Sequence, residues 1–366
     1  MSAAMALLAR FGSAPELRAQ RRAEWARQNF RRSPAARLIM WEALSTLLHH
    51  HDLVESLQIV WEAHSEEGER PDALLAIVAE TWIPRIRAPE PFSDVVRGAV
   101  TDREQLIIAI GQRQAKLPQI LSDLYHSERQ LQGVAARWKG SLRQPLGLIA
   151  VSWATIIYIA AITTDQVAAF PRPPRGYTRL AYDFSLWLLH YGSWMIPAIL
   201  ATCIAAIIWS FEHWLQSNRA RLDLFWPWSL FKRIAAADFL MVLHMLQAAG
   251  EDISGSLLAM ARTAPPYLRW QISAIEPLSR TKPLGFTLRA TKRRFPDAGV
   301  NAILETAQRD HPQNFPEHLK RESEHFIEDL LKRMESSRET IELVSLLTIG
   351  LLQIIALGIS SATALQ

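Results

Sequence analysis

The sequence contains a single cysteine, Cys203, among 366 residues. One cysteine cannot form an intramolecular disulfide, and it excludes a zinc site built from several cysteines. The glycine patterns that cradle phosphates, Gly-x4-Gly-Lys-Ser/Thr and Gly-x-Gly-x-x-Gly, are also missing. So is Gly-x-Ser-x-Gly, which marks the nucleophile turn of many hydrolases. We therefore expect no enzymatic activity, and we assign no catalytic residue, no metal and no cofactor.

Positive charge is concentrated near the start of the chain, although the formal net charge of the whole sequence is only +4. Acidic residues are few there, mainly Glu16 and Glu24. Such an arm suits anionic lipid headgroups or the acidic surface of a partner protein. No base-reading motif follows it, so we expect no nucleic-acid partner. The arginines of this region are Arg10, Arg18, Arg21, Arg22, Arg27, Arg31, Arg32 and Arg37.

Three long apolar runs interrupt the otherwise charged sequence. They begin near Leu146, Leu186 and Leu343, and the last one carries no charge up to the C-terminus. An apolar helix of about 20 residues is long enough to cross a hydrocarbon core of roughly 30 Å. The sequence therefore predicts three transmembrane helices. The predicted spans are residues 143–165, 185–211 and 341–366.

Flanking charges indicate how these spans are oriented. Lys and Arg residues lie before the first span, after the second and before the third, and positive flanks favour the cytoplasmic side. We expect no cleavable signal peptide, because Arg10 interrupts the first apolar segment early. The N-terminus is therefore predicted inside, with residues 166–184 and the C-terminus outside. The flanking cations are Arg137, Lys139, Arg143, Arg219, Arg221, Lys232, Arg233, Lys332, Arg333 and Arg338.

The polar parts of the chain are typical of soluble helices in two similar halves. Helical periodicity extends over residues 35–142 and 212–340, after the basic arm at residues 1–34. Matching motifs recur near the end of each half, and each is followed by a charged helix that enters a predicted span. We infer two homologous helical bundles. The matching residues are Gly111, Gln112, Arg113, Gln114, Leu117, Pro118 and Leu121 in the first half, and Ala307, Gln308, Arg309, Asp310, Phe315, Pro316 and Leu319 in the second.

A further motif lies at the turn after the apolar helix of the second half. It consists of Met245, Leu246, Gln247, Ala248, Ala249 and Gly250, followed by Ile253 and Leu257. With this turn and the order of bundle, span, loop, span, bundle and span, the sequence resembles the inner-membrane platform proteins of type IV pilus and type II secretion systems. This group is the secretion F family. The resemblance covers nearly all of the chain after about residue 35.

The resemblance implies an all-α integral membrane protein of the bacterial inner membrane, with a cytoplasmic N-terminus and a periplasmic C-terminus. It implies a platform that couples a hexameric assembly ATPase to polymerisation of pilin or pseudopilin subunits. Other inner-membrane assembly proteins, membrane lipid and further copies of the chain are the remaining expected partners.

The sequence departs from the family at one repeated motif. Family members carry Gly-Glu-x-Ser-Gly-x-Leu in each half, whereas the stretches after Gly111 and Ala307 lack both the Glu and the Ser-Gly pair. The chain is therefore identified as a divergent member, near the bundle-forming or conjugative thin-pilus branch.

Two sets of residues are candidates for docking the ATPase. Gln112, Arg113, Gln308 and Arg309 lie at matching points before the long helices that enter the membrane. Lys292, Arg293 and Arg294 form an exposed basic cluster of the second half. Complementary charge at such a surface speeds encounter and fixes register.

Two alternatives remain open at this stage. One is a membrane-bound metalloenzyme, because Glu322 with His325 and Asp123 with His126 match the Glu-x-x-His spacing of di-iron bundles. The other is a passive adaptor that binds a cytoplasmic partner through the basic arm.

Overall fold

The computed structural model describes residues 14–169, 176–215, 219–225, 227–291, 293–310 and 312–364. Within these ranges the chain is helical and contains no β-strand, which confirms the all-α prediction. Short turns, including a π-helical turn at Leu188–Gly192 and a 3-10 turn at Pro312–Asn314, connect the helices. The helices are α1 (Ala14–Arg32), α2 (Pro34–Leu47), α3 (Leu53–Ser65), α4 (Leu74–Arg87), α5 (Phe92–Val95), α6 (Asp102–Arg113), α7 (Leu117–Ala168), α8 (Tyr177–Trp187), α9 (Ser193–His213), α10 (Arg219–Leu222), α11 (Trp228–Ala249), α12 (Ile253–Thr263), α13 (Pro266–Ser279), α14 (Leu284–Ala290), α15 (Ala298–Asp310) and α16 (Phe315–Ala364).

The chain divides into two compact units. Unit 1 combines Met1–Leu131 with Ser217–Phe326, and unit 2 combines Gln132–Gln216 with Ile327–Gln366. The polar halves that the sequence separates therefore contribute to one compact unit, while the three long apolar runs fall in the other. The long helices α7 and α16 begin in unit 1 and end in unit 2.

Aromatic side chains form the core of the first half. Trp41 stacks on Trp82 at a centroid distance of 6.4 Å, and Phe92 meets Trp82 edge-on at 5.7 Å. Phe30 joins them at 5.6 Å from Trp82, although it lies in the segment predicted as a basic arm. That segment forms helix α1, which buries Ala26 and Phe30, because these residues are four apart and share one helix face. The arginines of α1 occupy the remaining faces.

The helices α2–α7 and α11–α16 follow the same order in the two halves. Asp52 and Asp252 accept backbone N–H bonds as the N-caps of α3 and α12, which satisfies donors that a helix start leaves unpaired. The long helices α7 and α16 begin at Leu117 and Phe315. Leu121 and Leu319, four residues after these helix starts, are completely buried. They are also the residues that the two sequence motifs place at matching points.

Two helical segments among the described residues are long and apolar enough to cross a membrane. The first, Gly147–Ala168, lies within α7, and the second, Tyr182–His213, runs through α8, the π-helical turn and α9. Only 17% and 6% of their apolar windows are buried by the chain itself, whereas the core helix of a soluble domain is mostly buried. The third predicted span lies in α16, where many side chains are outside the described residues, and it stays a prediction.

Gly285 provides a test of how closely two helices approach in unit 1. A Cβ atom at this position would overlap the carbonyl oxygen of Asn301 and the backbone nitrogen of Glu305, which belong to α15. We predict that Gly285→Ala lowers the free energy of unfolding by about 3 kcal/mol, because backbone atoms cannot move aside without disturbing α15.

Gly299→Ala is the matched control, since a Cβ there meets no atom within 4 Å. This variant should stay within about 0.5 kcal/mol of the wild type. Urea unfolding of the detergent-solubilised chain, followed by tryptophan fluorescence, measures both values. Equal stability of the two variants would contradict the close approach of α14 and α15.

Candidate partner-binding site

The two halves of unit 1 meet where α6 ends and α7 begins. The Arg113 guanidinium lies 3.1 Å from an Oε1 of Glu251, in the turn between α11 and α12. Lys116 donates from Nζ to the carbonyl oxygen of Ala248 at 2.8 Å. We call this contact, between the α6–α7 turn and the end of α11 with the turn that follows it, the junction.

A cleft of about 630 Å³ lies beside the junction, between the first turns of α7 and α16 and the end of α11. Asp123 of α7 accepts a hydrogen bond from Lys320 of α16 at 3.4 Å. His244 of α11 lies with Nε2 4.0 Å from an oxygen of Asp123. The starts of both long helices are therefore joined through one carboxylate.

His244 also contacts the second long helix directly. Its Nδ1 lies 3.1 Å from the carbonyl oxygen of Pro316, so this nitrogen carries the proton in the neutral ring. Burial lowers the pKa of His244, and the nearby Asp123 carboxylate opposes that shift. The ring is therefore held as a neutral donor to α16.

A mostly buried cation joins α6, α7 and α11 further along the contact. Arg103 lies 2.9 Å from a carboxylate oxygen of Glu128 and 2.8 Å from one of Asp238. Burial alone would lower the pKa of Arg103, but the carboxylates of Asp238, Glu128 and Glu104 together outweigh it and the pKa is raised. Burial raises the pKa of Glu128, and Arg103 opposes that rise. The cation is needed because two carboxylates meet here away from water.

Gln112 and Gln308 make the same contact in the two halves. The side-chain oxygen of Gln112 accepts from the backbone N–H of Ser93 at 3.2 Å, at the start of α5. The side-chain oxygen of Gln308 accepts from the backbone N–H of Leu284 at 2.7 Å, at the start of α14. Both glutamines therefore use a side-chain oxygen to cap the preceding helix.

Arg113 and Arg309, although matched in sequence, have different surroundings. Arg113 pairs with Glu251 of the other half, whereas Arg309 pairs with Glu305 of its own helix at 3.2 Å. Both side chains remain largely exposed, at 67% and 71%. The structure therefore places the two arginines on the surface but in separate contacts.

Arg293 and Arg294, the described members of the predicted basic cluster, have different surroundings. Arg293 lies over the ring of Trp270, with its Cζ 3.7 Å from the centroid, and it donates to the Trp270 carbonyl. Burial lowers the pKa of Arg293. Arg294 is exposed, and Lys292 lies outside the described residues. Arg293 thus has a packing role, which leaves Arg294 as the exposed cation of the described pair.

The residues of the metalloenzyme alternative are not gathered into a ligand set in the part of the chain that the structure describes. No group of three or more His, Cys, Asp or Glu side chains suited to a metal occurs there. Asp123, one of the proposed ligands, instead contacts Lys320 and lies near His244.

The contacts around Arg103 and Asp123 were not anticipated from the sequence. A usable signal was nevertheless present, because Asp238 and His244 are the ionisable residues in the apolar segment that runs from Ile234 to Ala249. A charge or imidazole on a buried helix requires a partner. The sequence indicates that need but does not identify Arg103 or Asp123 as the partners.

Arg103 supplies a prediction on stability and its pH dependence. We predict that Arg103→Met lowers the free energy of unfolding by about 3 kcal/mol at pH 7, because Glu128 and Asp238 lose their cation while remaining mostly buried. The pKa of Glu128 is already above its ordinary value. A carboxyl group with a raised folded-state pKa opposes folding when ionised, and this opposition disappears as pH falls through the folded and then the unfolded pKa.

The deficit of the Arg103→Met variant relative to the wild type should therefore shrink between pH 7 and about pH 4, near the ordinary carboxyl pKa values. Urea unfolding at both pH values measures it, and Arg103→Lys, which keeps the cation, is the control. A deficit of the same size at both pH values would be inconsistent with an electrostatic role.

No protein-family model matches the chain, and no curated protein matches it. The secretion F resemblance therefore stays a prediction. The chain's own helices and contacts are the basis for assigning its function.

Proposed function

We propose that this chain is a divergent inner-membrane platform protein of the secretion F type. It couples a hexameric cytoplasmic assembly ATPase to the polymerisation of pilin or pseudopilin subunits. In this proposal it spans the bacterial inner membrane three times, with the N-terminus in the cytoplasm and the C-terminus in the periplasm. Its other proposed partners are inner-membrane assembly proteins, membrane lipid and further copies of the chain.

The observation that carries the proposal is the contact that joins the two long helices near their N-terminal ends. The helices α7 and α16 comprise 52 and 50 residues, and their second turns are joined through Asp123 and Lys320. Helix α7 continues without interruption into the apolar segment Gly147–Ala168. A displacement of the junction can therefore be carried along a continuous helix, as coupling between distant sites requires an element that both sites contact.

The repeated construction of unit 1 supports the same proposal. The common helix order and the equivalent contacts of Gln112 and Gln308 fit two homologous bundles, each of which leads into one long helix. A motor that acts on unit 1 would thus act on two helices at once. We also propose that the two halves are homologous helical bundles.

Exposed apolar surface supports the membrane placement. In the segment Tyr182–His213, Trp194 and Trp209 are both largely exposed. Indole rings favour the headgroup zones at the two faces of a bilayer, which fits their separation along the helix. Exposure of this apolar surface to water is unfavourable, whereas contact with lipid removes it from water.

The passive-adaptor alternative is tested by substitutions that preserve the core, because removal of residues 1–34 would disrupt it. Deletion would take Phe30 from the aromatic core beside Trp41 and Trp82, so a loss of function would not isolate the basic charges. Replacement of the exposed Arg18 and Arg21 by Gln removes charge and keeps α1. A platform retains assembly in this variant, whereas an adaptor that acts through the arm loses it.

Accessibility of introduced cysteines tests the proposed topology. In a Cys203→Ser background, we predict that Arg179→Cys reacts with a membrane-impermeant maleimide in intact spheroplasts. Asp72→Cys should react only after permeabilisation. Both native side chains are exposed, so neither site is blocked by packing. Labelling of Asp72→Cys in intact spheroplasts would place unit 1 outside and defeat the proposal, because the motor is cytoplasmic.

Docking of the ATPase is tested through Arg113 and Arg309. We predict that the double variant Arg113→Ala with Arg309→Ala retains about a tenth or less of the co-purified assembly ATPase, because two exposed cations that guide encounter are lost. Fibre or secretion output should fall in parallel.

The control for this experiment is Glu251→Gln, which breaks the ion pair of Arg113 but keeps its charge. This variant should bind the ATPase as the wild type does, which separates docking from loss of the junction contact. If the double variant binds and assembles normally, these arginines are not the docking residues.

A further inference from the structure

Two large apolar side chains are exposed next to each other in the turn between α10 and α11. Leu224 is 59% exposed and Phe225 is 65% exposed. An isolated exposed apolar residue needs no explanation, but contiguous ones point to a surface that another apolar phase covers. We call Leu224 and Phe225 the apolar tip.

Hydrogen bonds hold the backbone of the apolar tip on both sides. The N–H of Leu224 donates to the carbonyl oxygen of Arg221 at 3.2 Å, and the N–H of Phe225 donates to that of Leu222 at 2.9 Å. The carbonyl oxygen of Phe225 accepts from the N–H of Ser229, in the first turn of α11, at 2.9 Å. The two apolar side chains therefore belong to a hydrogen-bonded turn, not to an open loop.

A buried polar cluster fixes this turn to α13. Asp223 pairs with Arg219 at 3.0 Å, and both side chains are at most 1% exposed. The hydroxyl of Tyr267 donates to the other carboxylate oxygen of Asp223 at 2.9 Å. The side-chain amide of Gln271 donates to the same hydroxyl at 3.0 Å. The residue directly before the apolar tip is therefore fixed in the interior, while the tip stays at the surface.

The charge beside the apolar tip is suited to an anionic surface. The ionisable residues between positions 219 and 225 are Arg219, Arg221 and Asp223. Arg219 and Asp223 are buried against each other, whereas Arg221 is exposed. The turn therefore presents one cation together with two apolar side chains. This combination suits the boundary between the headgroups and acyl chains of a bilayer that contains anionic lipid.

The apolar tip follows the second proposed span closely along the chain. The apolar segment Tyr182–His213 ends eleven residues before Leu224. Near the end of this segment, Trp209 and Trp214 are 63% and 42% exposed, as expected of indole rings in a headgroup zone. Eleven residues reach at most about 40 Å when fully extended, and the helical turn α10 shortens that reach. A bilayer around this segment is therefore an apolar phase that the tip can reach.

We infer that the apolar tip inserts Leu224 and Phe225 just below the headgroups of the cytoplasmic leaflet, with Arg221 among anionic phospholipid headgroups. The two apolar side chains favour this contact, because lipid removes their area from water. The inference rests on the membrane placement of Tyr182–His213 in the proposed function and adds to it a further attachment of the chain to lipid. It does not depend on the ATPase or on the pilin subunits.

Lipid quenching of a fluorescent probe tests the inference on the full chain in bilayer nanodiscs. In the Cys203→Ser background, Leu224→Cys carries an environment-sensitive fluorophore. A fraction of the phospholipid carries a nitroxide either just below its headgroup or deep in its acyl chain. The shallow nitroxide should quench the Leu224 probe more strongly than the deep one.

Two further positions serve as controls in the same experiment. Leu258→Cys is the matched control, because Leu258 is also an exposed leucine of unit 1, at 46%. Its probe should not be quenched by either nitroxide. Ile199→Cys lies within the apolar segment and is 55% exposed. Its probe reports whether that segment is in lipid, and the deep nitroxide should quench it.

Substitutions in the turn make the test specific to the proposed contact. Phe225→Asp places a charge where the acyl chains begin, so quenching of the Leu224 probe should fall to the level of the Leu258 control. Phe225→Leu keeps an apolar side chain and should retain the quenching. Nanodiscs with phosphatidylglycerol should give stronger quenching than phosphatidylcholine alone, and Arg221→Gln should abolish this difference. Equal quenching of the unsubstituted turn in both lipids would overturn the headgroup contact of Arg221.

Three results would overturn the inference as a whole. The first is a Leu224 probe quenched no more than the Leu258 probe while the Ile199 probe is quenched, which leaves the membrane placement intact. The second is an Ile199 probe that is not quenched, which defeats the membrane placement and the tip contact with it. The third is a Leu224 probe with blue-shifted emission but no quenching, which would assign the tip to a contact with protein.

Discussion

The burial of charge between the two halves is the constraint on which the rest of unit 1 depends. Glu128 and Asp238 come from different halves, and each lies within 3 Å of Arg103. Two mostly buried carboxylates repel each other unless a cation lies between them, so the halves dock in the register that places Arg103 there. Arg113 and Lys116 add further contacts in the same register. The starts of both long helices are positioned as a result.

Much of the fold follows from local patterns in the sequence. Apolar residues with helical spacing predict the all-α class, and the repeated motifs place Leu121 and Leu319 at matching buried positions. The contacts between the halves are different, because they join residues far apart along the chain, 138 positions in the case of Arg113 and Glu251. A single sequence carries no distance information of that kind. The arginines of α1 favour the interpretation of this segment as a basic arm. The pair Ala26 and Phe30, which packs α1 on the core, is a weaker signal in the sequence.

The candidate site shows a second limit of sequence reasoning. Gln112 and Gln308 attract attention because they recur, yet recurrence marks structural roles as readily as binding roles. Their oxygens cap short helices, and the same repeat places Arg113 in a contact between halves and Arg309 in a local one. The difference between the two arginines depends on what lies opposite each helix. Only the assembled unit contains that information.

The contact of Lys116 affects how the two halves can change over evolutionary time. Lys116 binds the carbonyl oxygen of Ala248, a group that every amino acid supplies. Substitution at position 248 therefore leaves this acceptor in place, provided that the turn keeps its backbone path. One half can therefore change its side chain at this point without a matching change in the other.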